Sequence, residues 1–247
     1  MSNLSIIIPT LNEERYLPEL LKSIKYQTYK DFEIIIADAG STDNTVSIAR
    51  KNGCKIVEGG HTEIGKNNGA KVSKSPILCF IDSDIVLPNK KVLAQAIEEF
   101  KKRNLDFAGT YQKPLSLGDY TRDIFYLAFY SIANLGMNLA KNTKHPLAQS
   151  LIFAKREAFL DIKFPSHYFG EDSELVWLAV SKGYKFGMIS SVQPVLISPR
   201  RIERNGIIKM SAQYLAFNAM RSWGYKFERT QRRRSDKLVR RVLDYWN

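Results

Sequence analysis

The feature that most constrains the fold is a short apolar run that ends in two acidic residues. Residues 77–81 read Ile-Leu-Cys-Phe-Ile, and Asp82-Ser83-Asp84 follows directly. Five consecutive apolar residues are typical of a strand that is buried on both faces, as in a parallel sheet. The two carboxylates are then expected at the carboxyl edge of the sheet, which is where open α/β sheets bind their ligands.

The acidic pair has a spacing that suits a metal ion. Ser83 is small, so a tight turn after the strand lets Asp82 and Asp84 face one hard divalent cation and the phosphates that it carries. We therefore predict that Asp84 and Asp82 bind Mn2+ or Mg2+. The alternative is a solvated turn after a strand, which is the commoner meaning of an isolated Asp-x-Asp. The rest of the chain favours the metal site.

Three predicted strands, each with mostly apolar residues, precede this one, at residues 4–9, 31–37 and 54–57. Each is rich in β-branched residues, and segments with the periodicity of helices lie between them. The first helical segment carries a buried stripe at Leu17, Leu20, Leu21 and Ile24. Strands that alternate with helices predict an α/β fold with a mostly parallel, doubly wound sheet flanked by helices.

Composition limits the class of protein and of partner. The chain has 247 residues, 44% of them hydrophobic, which is enough for one large or two small domains. Its net charge of +12 favours an anionic partner, whether nucleic acid, anionic lipid or a phosphorylated substrate. Cys54 and Cys79 lack the spacing of metal ligands, and no secretory signal opens the sequence, so we expect reduced cysteines and a cytoplasmic location.

Three motifs occur in order at the ends of the predicted strands: Ile-Ile-Pro-Thr-Leu-Asn-Glu-Glu at 7–14, Asp-Ala-Gly-Ser-Thr-Asp-Asn-Thr at 38–45, and Asp-Ser-Asp at 82–84. Together they resemble the family 2 glycosyltransferases, which have the GT-A nucleotide-sugar fold. The resemblance implies a nucleotide-diphosphate sugar as donor. Residues implied to bind the donor are Pro9, Thr10, Asn12, Glu13, Asp38, Gly40, Ser41, Asp82, Ser83 and Asp84. Many family members carry a second acid where this chain has Ala39, so the choice between a UDP- and a GDP-sugar stays open.

A basic residue follows in the segment Gly-Lys-Asn-Asn-Gly, which is predicted to open a helix. Lys66 is similar in position to an Arg or Lys that lies near the nucleotide in relatives, and the amino end of a helix favours phosphate. The resemblance therefore implies that Lys66 binds the nucleotide. A solvated lysine at a helix start is the alternative.

The second half is predicted to supply the acceptor side of the site. We expect a GT-A domain over residues 1–224, with its nucleotide-sugar half at about 1–110 and its acceptor half at about 111–224. In relatives, the Asp of a Glu-Asp pair that opens a helix is the general base of inverting members, and Asp172 matches it. The alternative is an acidic helix start that complements the helix dipole. The resemblance further places Gln149, Ser150 and Glu171 on the acceptor side.

Two arginines follow the last predicted strand. Guanidinium groups suit phosphate oxygens, so we predict that Arg200 and Arg201 clamp the diphosphate.

Two segments bear on where the protein works. Residues 124–140 contain no charged residue and form a predicted helix that is either buried or interfacial, and we favour core packing over a membrane interface. After a further apolar helix at 207–223, the tail at 225–247 carries eight basic and three acidic residues among apolar ones. A basic amphipathic tail predicts peripheral contact with an anionic membrane and a lipid-linked or saccharide acceptor. A solvated or oligomer-packing helix is the alternative.

Two other classes of function compete. A sugar-phosphate nucleotidyltransferase has a broadly similar architecture but usually opens with a Gly-rich basic loop, which residues 9–14 lack. A non-catalytic module that binds nucleic acid or an anionic surface would explain the charge. It would not explain acidic residues at several strand ends, because these repel phosphate unless a metal intervenes. We therefore predict a metal-assisted, inverting glycosyltransferase that does not bind nucleic acid, and we assign no oligomeric state.

Overall fold

The fold is seen in a computed structural model that describes residues 2–116, 118–149, 151–165, 170–206 and 209–211. The chain divides into two compact units, residues 1–198 and residues 199–247. The predicted boundary after residue 224 lies outside the described residues. The tail at 225–247, most of the predicted helix at 207–223, and Ser150 also lie outside them.

The first unit alternates strands and helices in its amino-terminal half. Its strands are β1 Leu4–Thr10, β2 Phe32–Asp38, β3 Lys55–Glu58, β4 Ile77–Ile81, β5 Ile85–Val86, β6 Phe107–Thr110, β7 Gln112–Pro114, β8 Leu151–Lys155, β9 Phe186–Ile189 and β10 Val195–Ile197. Its helices are α1 Leu17–Lys25, α2 Thr45–Lys51, α3 Thr62–Val72, α4 Val92–Lys102, α5 Tyr120–Ala140, α6 Arg156–Ile162 and α7 Glu171–Ser181. The second unit contains α8, Arg200–Asn205.

Seven strands form the main sheet in the order β3-β2-β1-β4-β8-β6-β9. Strands β1, β2, β3 and β4 are parallel, β8 runs antiparallel to both of its neighbours, and β6 pairs with β9 in parallel. The prediction of a mostly parallel sheet flanked by helices is confirmed. A second sheet of three short strands has the order β5-β10-β7.

Alternation along β1 shows why both faces of the sheet need helices. Ile6 and Ile8 belong to one hydrophobic cluster, which includes the α1 residue Leu20, while Ile7 belongs to a second cluster, which includes Phe80. The predicted stripe of α1 is buried in full. Because side chains of a strand point alternately to opposite faces, the consecutive isoleucines of β1 require cover on both sides of the sheet.

The ends of three parallel strands bring the predicted motifs to one edge. Thr10 is the register partner of Asp38, so β1 and β2 end side by side. Strand β4 lies on the other side of β1 and ends at Ile81, directly before Asp82. The short strand β5 begins one residue after Asp84, and the amide of Ser198 donates to the Asp84 carbonyl oxygen at 3.0 Å.

The helix α5 corrects the expectation that residues 124–140 pack in the core. Only three of its residues are buried, namely Tyr126, Tyr130 and Met137, and most of its other apolar side chains are exposed. The expectation failed because a helix without charged residues has no polar face to show which side meets solvent. None of the described helices is both long and apolar enough to cross a bilayer.

Candidate functional site

Asp38 organises the turn at the end of β2. Its carboxylate accepts hydrogen bonds from the Thr10 hydroxyl (2.9 Å), the Ser41 hydroxyl (2.6 Å), the Ser41 amide (2.8 Å) and the Gly40 amide (3.0 Å). Burial opposes the charge, but these donors outweigh it and lower the pKa of Asp38. Gly40 has φ +89°, a left-handed conformation that glycine adopts without strain. Thr10, Asp38, Gly40 and Ser41 therefore form one ordered corner.

The loop after β1 is tied to the same corner. The Asn12 amide donates to the Ser41 hydroxyl at 2.9 Å, and the Asn12 side-chain oxygen accepts from the Thr42 amide at 2.9 Å. Glu13 is buried, and its amide donates to the Thr45 hydroxyl at 2.7 Å. The structure thus brings the first two predicted motifs together, with Asn12 and Ser41 as the link.

Helix α3 lies unusually close to the sheet because of two glycines. A Cβ on Gly69 would come within 2.5 Å of Ile7 Cγ2, and a Cβ on Gly65 would come within 3.3 Å of Ala37 Cβ. The helix begins at Thr62, three residues before Gly65, so the expectation that this segment opens a helix is wrong. Lys66 lies inside the helix, and the alternative of a solvated lysine at a helix start is also wrong.

Lys66 is the centre of a buried ion cluster. Its side chain is 1% exposed, and Nζ lies 2.8 Å from Asp172 Oδ1, 3.4 Å from Asp82 Oδ1 and 3.6 Å from Glu171 Oε1. Burial by itself lowers the pKa of Lys66, but the three carboxylates outweigh it and the pKa is raised. The lysine is therefore charged at neutral pH, and its charge compensates carboxylates from both halves of the site.

Two aromatic side chains, Phe164 and Phe80, pack beneath the ion cluster. The Phe164 ring centroid lies 5.0 Å from Lys66 Nζ, and the ring packs edge-on against Phe80 at 5.0 Å between centroids. Asn67 holds Phe164 in place, because its side chain exchanges two hydrogen bonds with the Phe164 backbone, at 2.9 and 3.0 Å. A cation over an aromatic face is attracted by the ring quadrupole, so Phe164 adds to the stabilisation of Lys66.

Asp172 occupies the first turn of α7 and is 8% exposed. The positive end of the helix dipole favours acidic residues at this position. Its neighbour Ser173 donates to the Ala148 carbonyl at 3.0 Å and accepts from the Ala148 amide at 3.3 Å. This pair of bonds fixes the segment that contains Gln149 against α7. The structure therefore brings Glu171 and Asp172 to Asp82, as the predicted site requires, and adds Lys66 between them.

Gln112 contacts Gln149, a predicted acceptor-side residue, and the sequence did not reveal this contact. Its side-chain amide donates to Gln149 Oε1, and it is the first residue of β7. Thr110, at the end of β6, lies two residues earlier, and both side chains are buried. The oxygens Thr110 Oγ1 and Gln112 Oε1 are buried without a hydrogen-bond partner in the described structure. Only a long-range contact identifies Gln112, because no local motif surrounds it.

The acidic pair is compatible with a metal ion whose coordination shell is completed by water and substrate phosphates. Asp82 and Asp84 are partly exposed, whereas Ser83 between them is buried. Within the described residues, no three His, Cys, Asp or Glu side chains are arranged to hold a metal ion. Mg2+ commonly takes one or two carboxylates and completes its shell with water and substrate phosphates, which matches this donor set.

Two other features do not enter the cluster as described. Arg200 and Arg201 begin α8 in the second unit, so their role as a diphosphate clamp stays a prediction. A cavity of about 560 Å³ lies at the start of β4, lined among others by Lys74, Lys101 and Arg156. It is at the opposite edge of the sheet from Asp82 and does not belong to the site.

Comparison with known proteins identifies a family and several relatives. The model of the family described as glycosyl transferase family 2 matches residues 5–162. The 4,4'-diaponeurosporenoate glycosyltransferase of Staphylococcus haemolyticus is 38% identical over 110 residues, which cover 41% of this chain and 29% of that protein. The chain spans about a third of the length of the curated relatives that it matches.

Solved structures share the fold. A mannosyltransferase from Pyrobaculum calidifontis, solved with GDP-Man and Mn2+, matches with a TM-score of 0.66 and 20% identity, over 89% of this chain and 64% of that one. Glucosyl-3-phosphoglycerate synthase from Mycobacterium tuberculosis, solved with Mn2+, UDP and glucosyl-3-phosphoglycerate, matches with a TM-score of 0.61 and 19% identity, over 87% of this chain and 78% of that one.

Proposed function

The chain belongs to glycosyl transferase family 2, and from this premise we propose that it is an inverting enzyme that moves a sugar from a UDP- or GDP-sugar to a hydroxyl or lipid-linked acceptor. The observation that carries the proposal is the cluster around Lys66. It joins Asp82, which follows the donor-side strand β4, to Glu171 and Asp172, which begin the helix α7.

The donor occupies the edge formed by the ends of β1, β2 and β4. The corner of Thr10, Asp38 and Ser41, with Asn12 and Glu13 beside it, receives the nucleoside, and Ser83 keeps the acidic turn tight. Asp84, assisted by Asp82, holds Mn2+ or Mg2+. When bound, such an ion neutralises the charge that develops on the departing diphosphate. The mannosyltransferase of similar fold was solved with GDP-Man and Mn2+, which supports this choice of ligands.

Asp172 acts as the general base. The acceptor hydroxyl attacks the anomeric carbon, its proton passes to the Asp172 carboxylate, and the bond between the sugar and the diphosphate breaks with its electron pair leaving on the diphosphate oxygen. Lys66 holds Asp172 at 2.8 Å and orients its carboxylate. Gln149 and Glu171 line the acceptor side, where Ser150 is also predicted, and Arg200 and Arg201 clamp the diphosphate.

Measurement of nucleotide binding tests the proposed donor and metal site. Titration of UDP and GDP by calorimetry should show binding that requires Mn2+ or Mg2+ and is lost in EDTA. Asp84→Ala should abolish the metal dependence. Asp161→Ala is the matched control, because Asp161 is exposed and pairs with Lys182 on the α6 side. Equal affinity with metal and with EDTA would contradict the proposal.

Measurement of sugar transfer tests whether Asp172 is the general base. Asp172→Asn should keep donor binding and lose transfer by at least ~100-fold, the lower contribution of a positioned acid or base. Glu174→Gln, in the same first turn of α7, is the control. If both variants lose transfer equally, the acids serve the helix start and not the proton transfer. A small loss in Asp172→Asn would instead indicate an acceptor phosphate, which is already ionised and needs no base.

We also propose that the enzyme works at the cytoplasmic face of a membrane on a lipid-linked acceptor. The net charge of +12 and the basic tail at 225–247 support this location. Replacing Arg232, Arg233 and Arg234 by Gln should weaken co-sedimentation with anionic vesicles at low salt. Unchanged sedimentation would leave a saccharide acceptor as the better proposal.

A further inference from the structure

The helix α5 turns a continuous apolar face to solvent. Ten large hydrophobic side chains are exposed among the described residues, and seven of them lie on this helix. They are Tyr120, Ile124, Phe125, Leu127, Ile132, Leu135 and Leu139. At 100° per residue these seven fall within one half of the helix circumference, so they share a face. Single exposed apolar residues are ordinary, but a contiguous patch marks an interaction surface.

The opposite face holds the helix firmly on the protein. Met137 is 1% exposed, and Tyr126 and Tyr130 are also buried. The Asn134 side chain donates to the Gln112 carbonyl at 2.7 Å and accepts from the Gln112 amide at 3.2 Å. Because α5 is fixed to β7 by these contacts, its outer residues are presented outwards by the fold and are not exposed by detachment of the helix.

The charges at the two ends of the helix differ: Asp119 and Asp123 lie at its amino end, and the carboxyl end is followed by basic residues. From residue 124 to residue 156 the sequence contains no Asp or Glu. Lys141 directly follows the helix, and Lys144 lies three residues further on and is exposed. A basic end beside an apolar face is complementary to the phosphate headgroups and acyl chains of an anionic bilayer. A bilayer-spanning role does not fit, since no described helix is suited to crossing.

We propose that the outer face of α5 is a docking surface for an anionic lipid bilayer. Its apolar side chains enter the boundary between headgroups and acyl chains, and Lys141 and Lys144 contact lipid phosphates. A lipid-linked acceptor is part of the proposed function, on which this inference rests only for the acceptor. The docking of α5 on a bilayer does not depend on the acceptor.

Docking on this face would orient the catalytic edge. Helix α5 packs on β7, which pairs with β10, which pairs with β5. Strand β5 starts one residue after Asp84, and Ser198, next after β10, bonds the Asp84 backbone. A rigid path of three paired strands therefore links the docking helix to the acidic turn. An acceptor that projects from the bilayer would meet a site whose position relative to the surface is defined.

Co-sedimentation of the full chain with vesicles tests the proposal. Phosphatidylcholine vesicles with phosphatidylglycerol should bind the protein, and vesicles of phosphatidylcholine alone should bind it less. The triple variant Ile132→Gln, Leu135→Gln, Leu139→Gln should lower partitioning at least about tenfold, since bilayer affinity scales with the apolar area inserted. Tyr26→Gln is the matched control, since Tyr26 directly follows α1 and is 67% exposed, close to the 71% of Ile132; it should change nothing, because Tyr26 is not on α5.

Charge and accessibility give independent readings. Lys141→Gln with Lys144→Gln should weaken binding to the anionic vesicles by roughly fivefold per charge at low salt. In Ile132→Cys, a soluble maleimide should react quickly in buffer and slowly with anionic vesicles. The native thiols should react little, because burial raises the pKa of Cys54 to about 11 and also raises that of the buried Cys79.

Three results would overturn the proposal. Equal vesicle binding by the triple variant and the unchanged chain would show that α5 is not the docking surface. Slow labelling at residue 132 in buffer would show that protein, either a second copy or the chain's own C-terminal segment, covers the face. A dimer that the triple variant converts to a monomer, without loss of vesicle binding, would identify an interface between copies. Donor titration of the same variant separates these outcomes from failure of the proposed function, since its donor affinity should be unchanged.

Discussion

The Lys66 cluster and the outer face of α5 depart from the usual arrangement of a folded protein in opposite ways. Lys66 places a full positive charge where the side chain is 1% exposed, whereas Ile132 and Leu139 place large apolar groups where they are 71% exposed. A buried charge needs partners, and Lys66 has three carboxylates and an aromatic ring. An exposed apolar face has its partner elsewhere, and here we propose a bilayer.

The difference shows how to distinguish a cluster whose partners all lie within the protein from a surface whose partner is another molecule. Removing one member of the Lys66 cluster leaves charges that the protein itself must accommodate, so stability should fall. Removing an outer residue of α5 leaves nothing uncompensated within the protein, so stability should hold and only binding should change. The predictions below examine this contrast in order of expected size.

Lys66→Met should have the largest effect on stability. It leaves Asp82, Glu171 and Asp172 close together without a cation, and breaking a buried ion pair in this way costs roughly 3–5 kcal/mol. Urea unfolding measures the loss. Lys22→Met is the matched control, because Lys22 pairs with Glu19 at 4.0 Å but its side chain is 78% exposed. Equal unfolding free energies in the two variants would remove the distinction between the cluster and a surface ion pair.

Two substitutions on α5 itself should behave differently. Met137→Ala removes a buried side chain and should cost roughly 2–5 kcal/mol, the range for such core truncations. Leu139→Ala lies two residues away on the outer face and should change the unfolding free energy by less than ~0.5 kcal/mol. Thermal and urea unfolding of both variants provide the comparison. A large loss in Leu139→Ala would mean that the outer face is already packed against protein.

Two glycines in helices allow the same comparison between a tightly packed position and an open one. Gly69→Ala on α3 forces a Cβ within 2.5 Å of Ile7 and should cost roughly 1–3 kcal/mol by overpacking. Gly136→Ala on α5 meets only Leu147, at 3.9 Å, and should stabilise the protein by up to ~1 kcal/mol through helix propensity. Urea unfolding of both variants at one pH measures the difference. Opposite signs are the critical result, since both substitutions add the same methyl group to a helix.

Acid titration should show the smallest effect, at a carboxylate near the surface. Burial opposes the charge of Glu99, but hydrogen bonds from Ser191, Arg103 and Ser190 lower its pKa from 4.5 to about 2. Because the folded pKa is depressed, its stabilisation is complete above about pH 4.5 and is lost as the pH falls towards 2. Because solvent screens this partly exposed carboxylate, we expect the free energy of unfolding to fall by only roughly 1 kcal/mol over this pH window. Glu99→Gln should flatten the stability profile there, and parallel profiles would show that Glu99 is not responsible.

The succession of strands and helices along the amino-terminal half and the positions of three motifs at strand ends could be predicted from sequence. The segments that end before Pro9, Asp38 and Asp82 are mostly apolar and carry a short-range signal, since a strand buried on both faces needs apolar side chains on both. Parallel strands end at one edge, which is why the structure brings these motifs together. Asp172 was located only through a family resemblance, and its placement in the Lys66 cluster agrees with the predicted role without testing it.

Long-range contacts were not accessible from sequence. Lys66 and Asp172 lie 106 residues apart, and nothing near either of them encodes the 2.8 Å contact. The side that α5 turns to solvent was equally hidden, because residues 124–140 carry no charge that marks a polar face. The sequence by itself determined the strand and helix pattern, the acidic turn and the family, since these depend on local periodicity and spacing. Only the tertiary structure decided which charge was buried and which apolar face stayed exposed, because packing between distant segments sets both.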